Sequence, residues 1–418
     1  MSTNNNIRQF NKHHRKHKAP KGNLFAVIFV IIVFFSLFLA VREMLRTRDF
    51  QSDDTYISDT FQVSNDPMQV ARTYVTGQCI YYDDSDAPTT RDDIWVMYNL
   101  LGDADKHVYN LFMDLVEHRN GESYTNGIII TKEQLNQLDS EHFWCIYYAM
   151  LYDHPEFFYL TSTPDVIDCH YIEDDNYSIY FYMIKAESKE ESRQIAAFDN
   201  ATDRFMEDID LSLSDEEKEL AIHDKLISMV NYDYDLYARY DQEDSYNDLG
   251  FSAYGALVCN SSGVPNSAVC NGYALAFEYL CQEAGIPCCV VTGDATHIPP
   301  SPEQDNGGHA WNCVKIGDKW YEVDSTWDDI EYDDSIDLSF FESLQKDSET
   351  FSNCLHHYYN RSTAEMVDLK ATDDTVFEIE GYMPYNLITD TSHVRYTDFK
   401  GTSEDMEVFR NRLIPIAE

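Results

Sequence analysis

The sequence predicts an α+β fold in which a helix beginning at Cys270 packs on an antiparallel sheet carrying His309 and Asp324. Three stretches lead to that expectation. Tyr273, Ala274, Phe277, Leu280 and Cys281 fall on one helical face after a loop of small residues at 260–268, with Gly285 and Pro287 as the stop. Residues 309–316 and 319–324 read as two strands joined by Gly317-Asp318, a two-residue hairpin turn. Ser214-Asp215-Glu216-Glu217 forms a capping box that opens another helix through Leu220, Ile222, Leu226, Ile227 and Val230.

In chain order, residues 1–23 are rich in Asn, His and Lys and read as a basic cytoplasmic tail, with His13, His14 and His17 part of a solvated run. Residues 24–41 carry no charge, and Ser36 is their one polar side chain, enough for a transmembrane anchor. Six basic residues precede this run, so the positive-inside rule puts the N-terminus in the cytoplasm and the rest outside. The run is longer than a signal-peptide core, and Phe38 stands where cleavage needs a small residue, so the anchor is expected to stay uncleaved. Residues 42–93 are an acidic stalk with Pro67 and Pro88, in which 69–82 could supply a strand.

An N-terminal α/β extension is expected over 94–213. Apolar steps of three and four residues make 94–160 helical, and alternation at 177–184 makes a strand. A catalytic domain follows over 214–360. In it 287–292 is a short buried strand, 294–308 a mobile loop across the cleft mouth, and 328–337 an acidic loop that is solvated by default and could select positively charged groups. Cys354 and His356 read as structural. Residues 361–418 form a C-terminal extension with a strand at 375–379 and a helix at 405–413.

Charge narrows the function. Beyond residue 48 the chain has 21 Lys and Arg against 73 Asp and Glu, which excludes nucleic-acid binding by a basic footprint and reads either as a highly solvated, salt-tolerant surface or as one that attracts cationic partners, amine-bearing substrates or metal ions. All ten cysteines lie outside the membrane on this topology, where disulfides are permitted but their connectivity is not legible. Cys281 and Cys313 fall in core-like patterns and are expected to be buried thiols.

The chemistry concentrates between residues 270 and 327. Cys270 sits at a helix N-terminus, where unpaired amides and the positive dipole end favour thiolate over thiol. With Ile316 opposite Lys319, Trp311 falls opposite Asp324 and His309 opposite Thr326. His309, Trp311 and Asp324 then share a face, with the imidazole and carboxylate about 7–8 Å apart at their α-carbons. A thiol, a base and a group that orients the base are what nucleophilic catalysis needs. The Cys270 amide is the expected oxyanion donor, with Asn260 as a further contributor, and Gly272 would admit a substrate backbone. Trp311 could shield the ion pair or simply fill the core. His223 reads as packed or exposed rather than catalytic, and His297 lacks the strand context that would make it the base.

C-N-G-Y-A at 270–274, H-A-W-N-x-V at 309–314 and W-Y-x-V-D-x-T-W-D-D at 320–329 resemble the transglutaminase-like domain of the papain-like cysteine acyltransferases and proteases. Ser252-Ala253-Tyr254-Gly255-Ala256-Leu257, Ile222-His223 and Tyr232-Asp233 resemble its extended bacterial form. The resemblance implies a papain-like core with Cys270 as nucleophile, His309 as base and acid, and Asp324 as orienter. It also implies a thioester acyl-enzyme formed on peptide or glutamine carboxamide groups of a protein at the cell surface, leading to proteolysis or cross-linking. A surface binding module that keeps the fold without turnover is the alternative. No cofactor is expected: neither C-x-x-C nor H-x-x-x-H spacing supports a metal at Cys270, His309 and Asp324, and no calcium-loop motif is present.

Overall fold

The structure is a computed structural model of the chain. It describes residues 79–81, 92–117, 124–131, 140–162, 167–173, 178–185, 187–240, 247–297, 308–329, 348–371, 376–377, 385–386, 390–398 and 405–418. The apolar run at 24–41 and most of the stalk lie outside these residues. Among the described residues no helix is long and apolar enough to cross a membrane.

The N-terminal part builds a four-stranded sheet from β1 (Cys79–Tyr81), β2 (Tyr124–Thr131), β3 (Ile167–Glu173) and β4 (Ser178–Lys185), ordered β1-β2-β4-β3. The expected strand at 177–184 is β4, and the stalk does supply a strand in β1. The expectation that 94–160 is helical fails at β2, which lies between α1 (Asp103–Glu117) and α2 (Ser140–Asp153). Ile128, Ile129 and Ile130 are β-branched and pair with Tyr182, Phe181 and Tyr180 of β4, so sheet pairing decides a segment whose periodicity is ambiguous.

Helix α3 (Lys189–Met206) and helix α4 (Asp215–Met229) each begin with a complete capping box, at Ser188 with Glu191 and at Ser214 with Glu217. Next come α5 (Ala253–Leu257) and α6 (Cys270–Glu283), which ends where Gly285 takes a φ of 76°. Buried Lys218 of α4 donates to the Ala284 carbonyl at 2.8 Å, which satisfies that end of α6.

Beyond α6, strands β5 (Cys288–His297), β6 (Gly308–Ile316), β7 (Lys319–Val323) and β8 (Thr391–Arg395) form an antiparallel sheet ordered β8-β5-β6-β7. Strand β5 is longer than expected: Asp294 to His297 still pair with β8, so the region read as a loop from 294 is sheet as far as His297, and 298–307 lie outside the described residues. The hairpin keeps its expected register, Ile316 opposite Lys319, but pairing stops at Asn312 opposite Val323. Asp324 turns away to cap a short helix, α7 (Ser325–Asp328), so Thr326 is not opposite His309.

One face of this sheet, with Cys288, Val290, Ala310, Val314 and Val323, shares a hydrophobic core with α6, α1 and α2. The other face, with Cys289, Val291, Trp311 and Cys313, packs on a second core containing Cys354, Tyr358, Met366 and Ile414. Cys354 belongs to α8 (Ser348–Leu355), and α9 (Asp405–Leu413) falls where the sequence puts a helix. All eight cysteines whose side chains are described are free thiols, six of them buried, Cys281 and Cys313 included.

Candidate active site

Cys270 is the first residue of α6, with Val269 in the N-cap position. The Val269 amide donates to the Gly250 carbonyl at 3.0 Å, which presses the start of α6 onto the turn before α5. A Cβ at Gly272 would meet that carbonyl at 2.7 Å and the Ala268 Cβ at 2.8 Å. Residue 272 is therefore glycine because the backbone at 250–252 and the Ala268 side chain approach there, which corrects its expected role in admitting substrate. Among the described residues no backbone hydrogen bond takes up the Cys270 amide.

Asn260 is also corrected. Its amide nitrogen donates to Asp233 at 2.6 Å and to Ser267 at 3.5 Å, while its oxygen accepts from the amides of Ser262 and Val264 at 3.0 Å each. Both ends of the side chain are committed to bracing the loop that leads into Cys270, and none is left for an oxyanion. Tyr232 stands near the sulfur. Burial and the neighbouring Cys270 charge push its phenol well above the ordinary tyrosine value, so it keeps its proton.

Alternation along β6 puts His309 and Trp311 on the same face. His309 Nε2 lies 2.7 Å from Asp324 Oδ2, and the Cys270 side chain interacts with the same ring. Burial alone would lower the pKa of this ring. The Asp324 carboxylate and the Cys270 sulfur more than offset that and push it up to about 10. Asp324 is fully buried, and burial alone would raise its pKa. The His309 charge and the two imidazole hydrogen bonds outweigh burial and hold it well below the usual carboxylate range. Its other oxygen accepts from the amides of Thr326 and Trp327 at 3.0 and 3.1 Å. The aspartate is thus both cap of α7 and partner of the imidazole, and one role fixes the geometry of the other.

Trp311 carries both expected readings at once. It is 1% exposed in the second core, and its ring lies nearly parallel to His309 with centroids 6.1 Å apart. Its indole donates to Glu322 at 2.6 Å, and Glu322 accepts a second bond at 2.6 Å from Arg395. This buried link ties β6, β7 and β8 together behind the imidazole.

His393 of β8 is a site residue that sequence reasoning missed. Its Nε2 donates to the same Asp324 oxygen at 2.9 Å, its ring is buried, and its Nδ1 has no partner among the described groups. Burial pushes its pKa down, so a neutral imidazole is the donor. The one available signal was the alternation of Thr391, His393 and Arg395, which reveals a strand but not its neighbour. His297, discounted as a base, stacks on Trp327 at 4.7 Å. His223 is fully buried, as expected of a packed residue. Asp328, expected in an exposed acidic loop, is instead buried, bonding His223 at 3.1 Å and the Tyr358 amide at 2.8 Å.

A family model of the transglutaminase-like superfamily matches residues 203–325, a span holding Cys270, His309 and Asp324. The chain carries a transglutaminase-like domain. Kyphoscoliosis peptidase of mouse and of human are each 41% identical to it over 61 residues, 14% of this chain and 9% of theirs. The chain thus matches less than a tenth of the length of those relatives. Among solved structures, a TGase is similar at 14% identity and a TM-score of 0.25, covering 56% of this chain and 61% of that one. A Cytophaga hutchinsonii protein assigned as a cysteine protease is similar at 16% identity and a TM-score of 0.21, covering 38% and 62%. Members of the transglutaminase-like superfamily are typically cysteine enzymes.

Proposed function

We propose that the transglutaminase-like domain is a cysteine acyl-transfer enzyme that hydrolyses amide bonds of peptides or glutamine side chains. The observation that carries the reading is His309, bonded through Nε2 to buried Asp324 at 2.7 Å and interacting with the Cys270 side chain. In this reading the Cys270 sulfur attacks the carbonyl carbon, and the oxyanion is held by the uncommitted Cys270 amide and the Tyr232 phenol. His309 gives its proton to the departing amine, and the C–N bond breaks to leave a thioester. Water, deprotonated by the now neutral imidazole, then displaces the sulfur and releases an acid. A second amine in place of water would give a cross-link. The peptidase name of the matched relatives supports hydrolysis.

The anchor expected at 24–41 would hold this domain at the outer membrane face. Burial of six of the eight described thiols suits such a setting, since it keeps oxidants from them. Deleting residues 1–41 should move the protein from the membrane to the soluble fraction.

The mechanism is tested with a peptide carrying a thiol-trapping electrophile at the scissile position. Wild type should be labelled on Cys270, Cys270→Ala not at all, and His309→Ala at least about 100-fold more slowly. Wild type reacting no faster than a free cysteine would leave the fold as a binding module without turnover.

A further inference from the structure

A second cluster lies on the far side of α7, where α4 meets the end of α8. His223 Nδ1 is 3.1 Å and His356 Nε2 is 2.7 Å from the same oxygen, Oδ1 of Asp224. Each ring is also held at its other nitrogen. His223 Nε2 meets the buried Asp328 carboxylate at 3.1 Å, and His356 Nδ1 meets the Ser352 carbonyl at 2.6 Å. Three acceptor oxygens therefore make four contacts with two rings, and a neutral imidazole has one N–H to give. A carbonyl only accepts, so the His356 hydrogen belongs on Nδ1 and a lone pair on Nε2 points at Asp224. The buried Asp328 carboxylate makes the same demand on His223. Two nitrogen lone pairs and a carboxylate oxygen thus converge, with one donor atom from each residue lying within 4.8 Å of the others.

Two extra protons or one divalent cation would relieve this convergence. A single ion between the three atoms leaves each ring its N–H on a fixed acceptor, the outer arrangement that orients metal-bound histidines.

We propose that His223, Asp224 and His356 bind a divalent transition metal ion of the zinc class, which clamps α4 to the end of α8. Zinc bonds of about 2.0–2.1 Å would set the three donor atoms about 3.3 Å from one another, a small opening of the two contacts to Asp224 at 3.1 and 2.7 Å. Asp224 is half exposed and His356 partly so, which leaves a fourth position open to water. Through Asp328 the ion would also steady α7, the helix that Asp324 caps.

The test uses the full chain, stripped with a chelator and titrated with zinc, then with cobalt(II) as a spectroscopic probe. One equivalent should bind, raise Tm, and give a cobalt spectrum without a thiolate charge-transfer band. Asp224→Asn and His356→Ala should each weaken binding about 100-fold or more and abolish the rise in Tm. Cys270→Ala and His393→Ala should bind as wild type does, which separates this site from the one above. The metal-free Tm of the half-exposed Asp224→Asn variant shows that it still folds. Failure of wild type to take up zinc below about 10 µM, or loss of binding in Cys270→Ala with retention in Asp224→Asn, would overturn the proposal. Neither result bears on acyl transfer at Cys270.

Discussion

At the scale of single residues, the candidate site turns on how one carboxylate is shared. The imidazolium of His309 is held up to about 10, above the unfolded value of about 6.5. Because the folded value is raised, this interaction contributes its full stability below pH 6.5 and loses it as pH climbs through 10. In the proposed mechanism the protonated ring also serves the leaving amine, so kcat/KM should fall on the alkaline side near pH 10. Asp324→Asn removes the largest contribution holding the proton on. It should bring that limb down by at least about one pH unit and cut kcat about 100-fold or more. An alkaline limb unmoved in that variant would show that Asp324 does not govern the imidazole. His393 acts on the same oxygen from the opposite side. Loss of a hydrogen bond to a charged, buried group costs about 1.5–3 kcal/mol, so His393→Ala should lower kcat about tenfold or more with KM nearly unchanged. His393→Gln, which restores a donor, should recover part of that loss, whereas equal defects in both would mark His393 as filler alone.

At the scale of elements, close backbone approaches set the positions of α6 and β8. A Cβ at Gly293 of β5 would collide with the Val394 carbonyl of β8 and come within 2.7 Å of the Trp311 ring. A carbonyl in a paired strand cannot retreat alone, so Gly293→Ala should push β8 outward, and with it His393 and Arg395. The expected cost is about 1–3 kcal/mol, read as a lower urea midpoint at unchanged m, together with the kcat loss seen for His393→Ala. Unchanged stability would mean that β8 is not docked as described. The elements that the sequence revealed are those whose signals are local. A two-residue turn fixes register, so the hairpin was legible to Ile316 opposite Lys319, and the Ser214 capping box marked α4. Strand β2 was not legible, because three successive isoleucines between helical segments carry no clear period. Nor was β8: its partner strand lies about a hundred residues away, and a short alternating run says nothing about which edge it joins. The end of the hairpin was missed for a related reason, since Asp324 leaves the strand to cap α7 and only the fold selects between those roles.

At the scale of the whole molecule, the N-terminal helices and the transglutaminase-like domain share one hydrophobic core, so the extension is part of the packing rather than an ornament. Rings from both parts meet there: Phe158 lies 4.7 Å from Tyr254 by ring centroids, and Phe198 lies 5.0 Å from Tyr279. The sequence's apolar and aromatic content implied a large core, but not that two regions divided at residue 213 would contribute to the same one. Around that core the chain carries a formal net charge of −44 at neutral pH. Repulsion across such a surface opposes compaction, and it is screened over about 10 Å at 0.1 M salt. The attractive pairs that hold the site are buried: Arg395 with Glu322 at 2.6 Å and His309 with Asp324 at 2.7 Å, where mobile ions screen far less. Added salt should therefore weaken the repulsion more than the attraction. Raising sodium chloride from about 20 mM to about 300 mM should increase Tm by a few degrees, with the larger part of the change below about 0.1 M. A fall in Tm over the same range would mean that exposed attractive pairs, rather than the buried ones, carry the electrostatic stability of this fold.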